Sequence, residues 1–214
     1  MLKNIPLFAG LEDAELALLS RKAVARTFPK NAYIINEGDR SDTLYVMVSG
    51  KVKAFLRDEH GKEVILSFQG PGEYFGELAL LDDEPRSASI VTVEPTTVNV
   101  VSKADLMKCI SESPELAFRL IRDLSHRLRV LTENVRSLAL MDVYGRVART
   151  LLDLAKPDDG KMVIQEKLTH QDIANMVGSS REMVTRILKD LTTGGYISNE
   201  GRHIVVREKL PPAW

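Results

Sequence analysis

The stretch FGELALLDDEPRSAS, residues 75–89, places an acid and a base at opposite ends of one short loop. Glu77 follows Gly76, and nine residues after Glu77 comes Arg86, which precedes Ser87. A surface ion pair between the two charges would contribute little to stability and would need no small neighbours. Small residues matter where a backbone N–H group must approach an anion closely. The spacing leaves two interpretations open, a hairpin ion pair or an anion site.

The chemistry of the two side chains refines the second interpretation. Arg86 carries a planar fork of N–H donors that matches phosphate oxygens. Glu77 would be repelled by a phosphate, so its natural partner there is a donor such as a sugar hydroxyl. An arginine for phosphate and an acid for ribose together describe a nucleotide monophosphate.

The residues around this loop have a sequence pattern typical of a β domain. Between about 24 and 101, short alternating runs rich in Val, Ile, Tyr, Phe and Thr are separated by glycine-containing turns. Strands at intervals of about 8–12 residues predict a β-barrel or sandwich. A short helix is predicted before them at 12–22, with Leu16 and Leu19 on its apolar side.

A heptad repeat follows, in a stretch free of Gly and Pro from 115 to 144. Its apolar positions recur at alternating spacings of four and three residues and are Ala117, Ile121, Leu124, Leu128, Leu131, Val135 and Leu138. One interpretation is an amphipathic helix lying on its own domain. The length and strictness of the repeat favour the other, a coiled coil between two copies of the chain.

Two helix starts lie close together near the C-terminus. Thr169 with Asp172, and Ser179 with Glu182, fit the capping box, and Gly178 lies between the two predicted helices. This is the helix-turn-helix pattern. A break at KPDDG, a short strand before the pair and a hairpin after it predict a winged helix-turn-helix domain.

The polar face of the second helix supplies candidate DNA contacts. Arginine can pair with guanine and glutamate can accept from cytosine, while hydroxyl, amide and helix N-terminal N–H groups reach phosphates. Candidates for base edges are Arg181, Glu182, Thr185 and Arg186, and candidates for phosphates are Thr169, Gln171 and Ser180. The alternative is an ordinary solvated helix face. The turn, the caps and the predicted wing together favour DNA binding.

Composition is that of a soluble globular protein, with 214 residues, 44% hydrophobic and 28% charged. The net charge is −5 over residues 1–115 and +4 over residues 116–214, and a basic second half suits nucleic acid. The single Cys109 excludes a disulfide framework and multi-cysteine metal sites. With no signal-peptide pattern and no apolar run of about 18 residues, we expect a cytoplasmic protein. No catalytic constellation, metal-ligand cluster or Walker loop is present, so neither an enzyme nor a metal site is expected.

The loop resembles the phosphate-binding cassette of cyclic-nucleotide-binding domains, roughly F-G-E-[L/I]-A-L followed by P-R-[S/A]-A. The matching positions are Phe75, Gly76, Glu77, Leu78, Ala79, Leu80, Pro85, Arg86, Ser87 and Ala88. GSSREMVTRILKDL resembles the recognition helix of the cyclic-AMP receptor branch of the bacterial CRP/FNR regulators. VRSLALMDVYGRVARTLLDLAK is similar to the dimer helix and hinge of that branch.

The resemblance implies an α+β fold with three parts. They are an N-terminal β-barrel (jelly-roll) cyclic-nucleotide-binding domain at 1–115, a long dimerisation helix and hinge at 116–142, and a C-terminal winged helix-turn-helix at 143–214. It implies a homodimeric, allosteric transcription regulator without a membrane part. Its partners would be a palindromic DNA duplex with a TGTGA-like core and RNA polymerase.

The resemblance also assigns ligand contacts. Glu77 would bind the ribose 2′-hydroxyl and Arg86 the cyclic phosphate. Backbone N–H groups would assist at Gly76, Leu78, Ser87 and Ala88.

Two further positions concern the base. In the cyclic-AMP receptor branch two polar residues of the dimer helix meet the adenine, and the matching residues here are Leu131 and Thr132. Thr132 can donate or accept a hydrogen bond, whereas Leu131 cannot. Cyclic AMP (cAMP) is the expected effector, with cyclic di-GMP as the leading rival and cGMP as a further candidate. A ligand-independent DNA-binding repressor with a vestigial pocket is the remaining alternative.

Overall fold

The computed structural model describes residues 23–201 and 203–207, so the helix predicted at 12–22 lies outside the described residues. The chain divides into two compact units, with one boundary after Leu128 within a long helix and with residues 59–64 grouped with the C-terminal unit. The domain boundaries at 115/116 and 142/143 stay predictions.

The N-terminal unit contains eight strands. They are β1 (Val24–Phe28), β2 (Tyr33–Ile35), β3 (Thr43–Ser49), β4 (Val52–Arg57), β5 (Glu63–Gln69), β6 (Tyr74–Phe75), β7 (Ser89–Thr92) and β8 (Thr96–Ser102). They form two four-stranded sheets, with strand orders β1-β8-β3-β6 and β2-β7-β4-β5. The predicted jelly roll is confirmed, and its sheets are open rather than closed into a barrel.

The core between the strands follows from their alternating pattern. Val46 of β3 and Val98 of β8 have no exposed surface, and Val52 of β4 is equally buried. β-Branched side chains suit the pleated surface of a strand and its half-buried packing. The core therefore fixes the register that brings Tyr45 of β3 opposite Phe75 at the start of the loop.

Three helices belong to or begin in this unit. They are α1 (Leu78–Leu81), α2 (Lys103–Glu112) and α3 (Pro114–Leu140). Ser102 caps α2 by accepting a hydrogen bond from the Asp105 backbone N–H. Leu116 and Leu120 anchor the first turns of α3 in the core beside β3 and α2.

The predicted heptad positions occupy a different face of α3. Ile121, Leu128, Leu131, Val135 and Leu138 are 45–65% exposed, whereas Leu124 packs partly against the core. A long exposed apolar stripe on one helix is the surface that a second helix covers in a coiled coil. The amphipathic-helix alternative accounts for Leu124 but not for the exposed stripe.

The C-terminal unit continues after a break. Asp142 starts the next helix, its side chain accepting from the Gly145 N–H at 2.7 Å, and Gly145 lies inside that helix. The elements are α4 (Val143–Leu154), β9 (Lys156–Asp158), β10 (Lys161–Ile164), α5 (His170–Val177), α6 (Arg181–Thr193), β11 (Ile197–Glu200) and β12 (His203–Val206). The strands form one sheet in the order β11-β12-β10-β9.

This arrangement is a winged helix-turn-helix with one departure from the prediction. The segment KPDDG does not simply break the chain, because Lys156–Asp158 pairs antiparallel with β10 and the turn falls at Asp159 and Gly160. Over residues 23–201 and 203–207, no helix has the length and hydropathy that crossing a bilayer requires.

Candidate functional site

Gly76 links β6 to α1 and has a left-handed backbone with φ of +85°. A Cβ at this position would lie 2.5 Å from Arg86 Nη1 and 3.2 Å from the Thr43 carbonyl oxygen. The left-handed backbone therefore favours glycine, and a Cβ here would also require the Arg86 guanidinium to shift. From the sequence, this glycine is explained only by the close approach of an anion to the backbone.

Arg86 is buried, with 4% of its surface exposed. Its Nη1 donates to the Gly76 carbonyl at 2.6 Å, and its Nη2 donates to the Thr43 carbonyl at 2.6 Å and to Ser41 Oγ at 2.9 Å. Burial lowers the pKa of Arg86, and nearby Tyr45 and Glu77 oppose that shift. Its buried Nε–H finds no acceptor in the described part of the chain. An unpaired buried donor on a cation is a position for an anionic oxygen.

Glu77 is also buried, with 4% of its surface exposed. Its described ion-pair partner is Arg127 of α3, whose Nη1 lies 3.0 Å from Glu77 Oε1. The hairpin ion pair with Arg86 is therefore not the arrangement that the chain adopts. Burial raises the pKa of the Glu77 carboxyl, and Arg127 partly counteracts this increase.

Arg127 belongs to a network that the sequence did not reveal. Its Nε lies 3.0 Å from Asp123 Oδ2, and the same oxygen accepts the Tyr74 hydroxyl at 2.5 Å. The Arg127 guanidinium lies 4.5 Å from the centre of the Tyr74 ring. Asp123 and Arg127 are four residues apart on a predicted helix, a spacing that indicates an ion pair. Nothing in the sequence links that pair to Glu77, 50 residues away.

Leu78, Ser87 and Ala88 are all at least partly exposed. Leu78 is 43% exposed at the start of α1, and Ser87 and Ala88 lie outside any helix or strand. The loop is fixed from behind, because the Arg86 N–H donates to the Asp39 carbonyl at 2.9 Å. The structure thus brings Gly76 and Arg86, from the two halves of the predicted cassette, into direct contact.

The two candidate base contacts lie on the long helix. Leu131 and Thr132 are exposed on α3, in the part of that helix that belongs to the C-terminal unit. Leu131 is one of the exposed apolar positions of the heptad stripe.

The helix pair is held by buried apolar residues and well-formed caps. Ile173 and Val184 are fully buried between α5 and α6, and Gly178 has φ of +64° at the turn. The predicted capping box of Thr169 and Asp172 is present. All seven candidate DNA contacts are exposed to solvent.

The second predicted capping box is wrong by one residue. The N-cap of α6 is Ser180, whose side chain accepts from the Met183 N–H at 3.2 Å. Ser179 instead donates its N–H to the Ala174 carbonyl in the turn after α5. Two adjacent serines could each form the cap, but Ser179 follows the αL C-cap Gly178 and closes the first helix, so Ser180 is left to start the second.

An open cleft lies between the N-termini of the two helices, lined by Thr169, His170, Gln171 and Arg181. His170 Nδ1 lies 2.8 Å from Thr185 Oγ1, which itself donates to the Arg181 carbonyl at 2.8 Å. His170 is not among the DNA contacts that the sequence predicts. Its position between two candidate DNA contacts could not be derived from the histidine alone.

Comparison with known proteins finds a family domain over each of the two regions. Residues 25–113 match the cyclic nucleotide-binding domain family, and residues 145–210 match the Crp-like helix-turn-helix domain. A CRP-like cAMP-activated global transcriptional regulator of Mycobacterium tuberculosis is 34% identical over 212 residues, 97% of this chain and 95% of that protein.

Two other relatives extend the comparison. The cAMP-activated global transcriptional regulator CRP of Escherichia coli O6:H1 is 39% identical over 183 residues, 84% of this chain and 87% of that protein. The solved structure of the c-di-GMP responsive global regulator CLP of Xanthomonas campestris matches with a TM-score of 0.79 at 26% identity, covering 92% of this chain and 100% of that chain. The two domains in this order, over nearly the whole length of these relatives, place the chain in the CRP/FNR family of DNA-binding transcription regulators.

Proposed function

We propose that the protein is a homodimeric transcription regulator whose DNA binding is controlled by cAMP. The observation that carries the proposal is Arg86, a buried cation with an unpaired Nε–H, set beside the buried carboxylate of Glu77. The cAMP-activated relatives from two organisms support cAMP in particular.

The residues of the loop fit a cyclic nucleotide. Arg86 would neutralise the phosphate, and the backbone at Gly76, Leu78, Ser87 and Ala88 would add N–H donors where no large side chain intervenes. Glu77 would accept a hydrogen bond from the ribose 2′-hydroxyl. An anion alone would not need a buried acid so close to the arginine.

The residues expected to contact the nucleotide base leave a second effector possible. Leu131 offers no hydrogen bond to a purine edge, whereas the neighbouring Thr132 offers a hydroxyl. The structural similarity to a c-di-GMP responsive regulator makes cyclic di-GMP the second candidate.

The DNA interface follows from the exposed polar face of α6. Arg181, Glu182 and Arg186 would contact base edges with Thr185 beside them, and the residues at the helix N-termini, Thr169, Gln171 and Ser180, would contact phosphates. Two copies joined along the α3 stripe would place their α6 helices in successive major grooves, about 34 Å apart on a palindromic TGTGA-like site. RNA polymerase is the further partner that a transcription regulator of this kind would contact.

Calorimetric titration of the purified protein with cAMP, cGMP and cyclic di-GMP tests the proposal. We expect cAMP to bind with the highest affinity. Tighter binding of cyclic di-GMP would change the effector that we propose, but the protein would still be a nucleotide-controlled regulator. No heat with any nucleotide, together with tight DNA binding, would indicate the ligand-independent repressor instead.

A further inference from the structure

We propose that Tyr74 and Asp123 are positioning residues that hold Arg127 against Glu77 and thereby set the preference for a ribose over a 2′-deoxyribose nucleotide. This inference rests on the proposed function, because it concerns the same nucleotide site. It adds residues to that site that neither the loop motif nor its spacing indicates.

The geometry shows a closed ring of contacts around one guanidinium. Asp123 Oδ2 receives both the Tyr74 hydroxyl at 2.5 Å and Arg127 Nε at 3.0 Å. Arg127 Nη2 donates to the Tyr74 carbonyl at 3.2 Å, and Nη1 meets Glu77 Oε1 at 3.0 Å. Every nitrogen of the guanidinium is therefore engaged, and its plane lies over the Tyr74 ring.

Tyr74 connects this set of contacts around Arg127 to the nucleotide loop. It precedes Glu77 by three residues and is buried, with 4% of its surface exposed. Its phenol is held protonated, since burial and the bond to Asp123 both raise the pKa of Tyr74. The hydroxyl is therefore a fixed donor to Asp123, and Asp123 in turn fixes the direction of Arg127.

These contacts affect the ionisation state and the orientation of the Glu77 carboxyl group. A protonated carboxyl offers one acceptor fewer, whereas an ionised carboxylate accepts a hydroxyl proton more strongly. Burial favours the protonated form, and Arg127 favours the ionised form. Arg127 engages Oε1, so Oε2 would be the oxygen that accepts from a ligand hydroxyl. Loosening Arg127 would weaken this interaction specifically and would leave the phosphate contacts of Arg86 intact.

The test compares cAMP with 2′-deoxy-cAMP, which lacks the hydroxyl in question. We expect the wild-type protein to prefer cAMP by about 10- to 100-fold, the range of a hydrogen bond to a charged group. Asp123→Asn and Tyr74→Phe should each reduce this ratio about threefold or more, with the affinity for 2′-deoxy-cAMP unchanged. Tyr74→Phe keeps the ring beneath Arg127 and removes only the hydroxyl.

A matched control is available on the same helix. Glu115 and Arg119 form an ion pair with the same four-residue spacing, at 3.2 Å, away from the loop. Glu115→Gln should leave the ratio at its wild-type value. Glu77→Gln should bring the ratio close to one.

The outcomes separate this inference from the proposed function. An unchanged ratio in Asp123→Asn and Tyr74→Phe, with cAMP still bound, would overturn the inference alone. Equal weakening of both nucleotides would also overturn it, because a merely structural role affects both ligands alike. Failure of the wild-type protein to bind either nucleotide would overturn the proposed function and the inference with it.

Discussion

The nucleotide loop and the recognition helix both present charged side chains to a ligand, but they hold them in opposite ways. Glu77 and Arg86 are buried and bonded to protein groups, whereas Arg181, Glu182 and Arg186 are exposed on α6. Removing a charge from water is costly unless it is paired. In the loop, therefore, the charges serve the fold and the ligand together. On the helix, the apolar core and the Ser180 cap stabilise the fold, and the exposed charges are available to bind DNA.

The largest effect that this contrast predicts is for Arg86→Leu. The substitution should weaken cyclic nucleotide binding about 100-fold or more, since it removes the cation and its charge-assisted bonds. It should also destabilise the protein by about 1–3 kcal/mol, because the Gly76 and Thr43 carbonyls lose their donor. Calorimetry and urea unfolding measure the two effects.

Its matched control lies in the other region. Arg181→Leu removes an exposed arginine and should leave the urea midpoint close to that of the wild type. If both substitutions changed stability equally, the contrast between buried and exposed charge would not hold.

The next effect is steric and concerns Gly76→Ala. Its left-handed backbone costs an alanine about 1–2 kcal/mol, and the clash with Arg86 adds about 1–3 kcal/mol. Gly61→Ala is the matched control, since Gly61 has φ of +81° but a Cβ there meets no described atom within 4 Å. Thermal unfolding should show a larger loss for Gly76→Ala, and equal losses would argue against the close approach of Arg86.

A third effect sharpens the DNA side of the comparison. Arg181→Ala should relax the preference for guanine at one half-site position by about 1–3 kcal/mol without altering nucleotide affinity. Selection from a randomised half-site library measures the preference. An unaltered selection profile would show that Arg181 does not read a base.

The smallest effect is a pH dependence from Glu77. Because burial raises its pKa in the folded protein, the folded state binds more protons there than the unfolded state above about pH 4.5. The contribution of Glu77 to stability therefore falls as pH rises through that range. Glu77→Gln should gain in stability relative to the wild type between pH 4.5 and pH 7. A difference that stays constant over this range would contradict the raised pKa.

The same contrast explains what the sequence could and could not predict. The helix-turn-helix follows from local signals, namely the αL glycine Gly178 and caps within three residues. The error at Ser179 and Ser180 arose because two adjacent serines offer the same local signal. The jelly roll also follows from local alternation and turns, and the loop motif predicted Glu77 and Arg86 as a pair of interest.

The partners of the loop charges could not be predicted, because packing rather than sequence proximity brings them together. Arg127 lies 50 residues from Glu77, and Ser41 and Thr43 lie more than 40 residues before Arg86. Similarly, the heptad pattern did not distinguish the face of α3 that Leu116 and Leu120 bury from the face that stays exposed. Such contacts depend on the register of β3 against β6 and on where α3 meets the core.

The central claim is that nucleotide and DNA binding are thermodynamically linked. The most direct measurement is the dissociation constant of a palindromic TGTGA-containing duplex with and without saturating cAMP, together with that of cAMP with and without the duplex. We predict that each ligand tightens the other by the same factor, typically about 5- to 150-fold. A duplex affinity that cAMP does not change, at concentrations where cAMP is bound, would contradict the account.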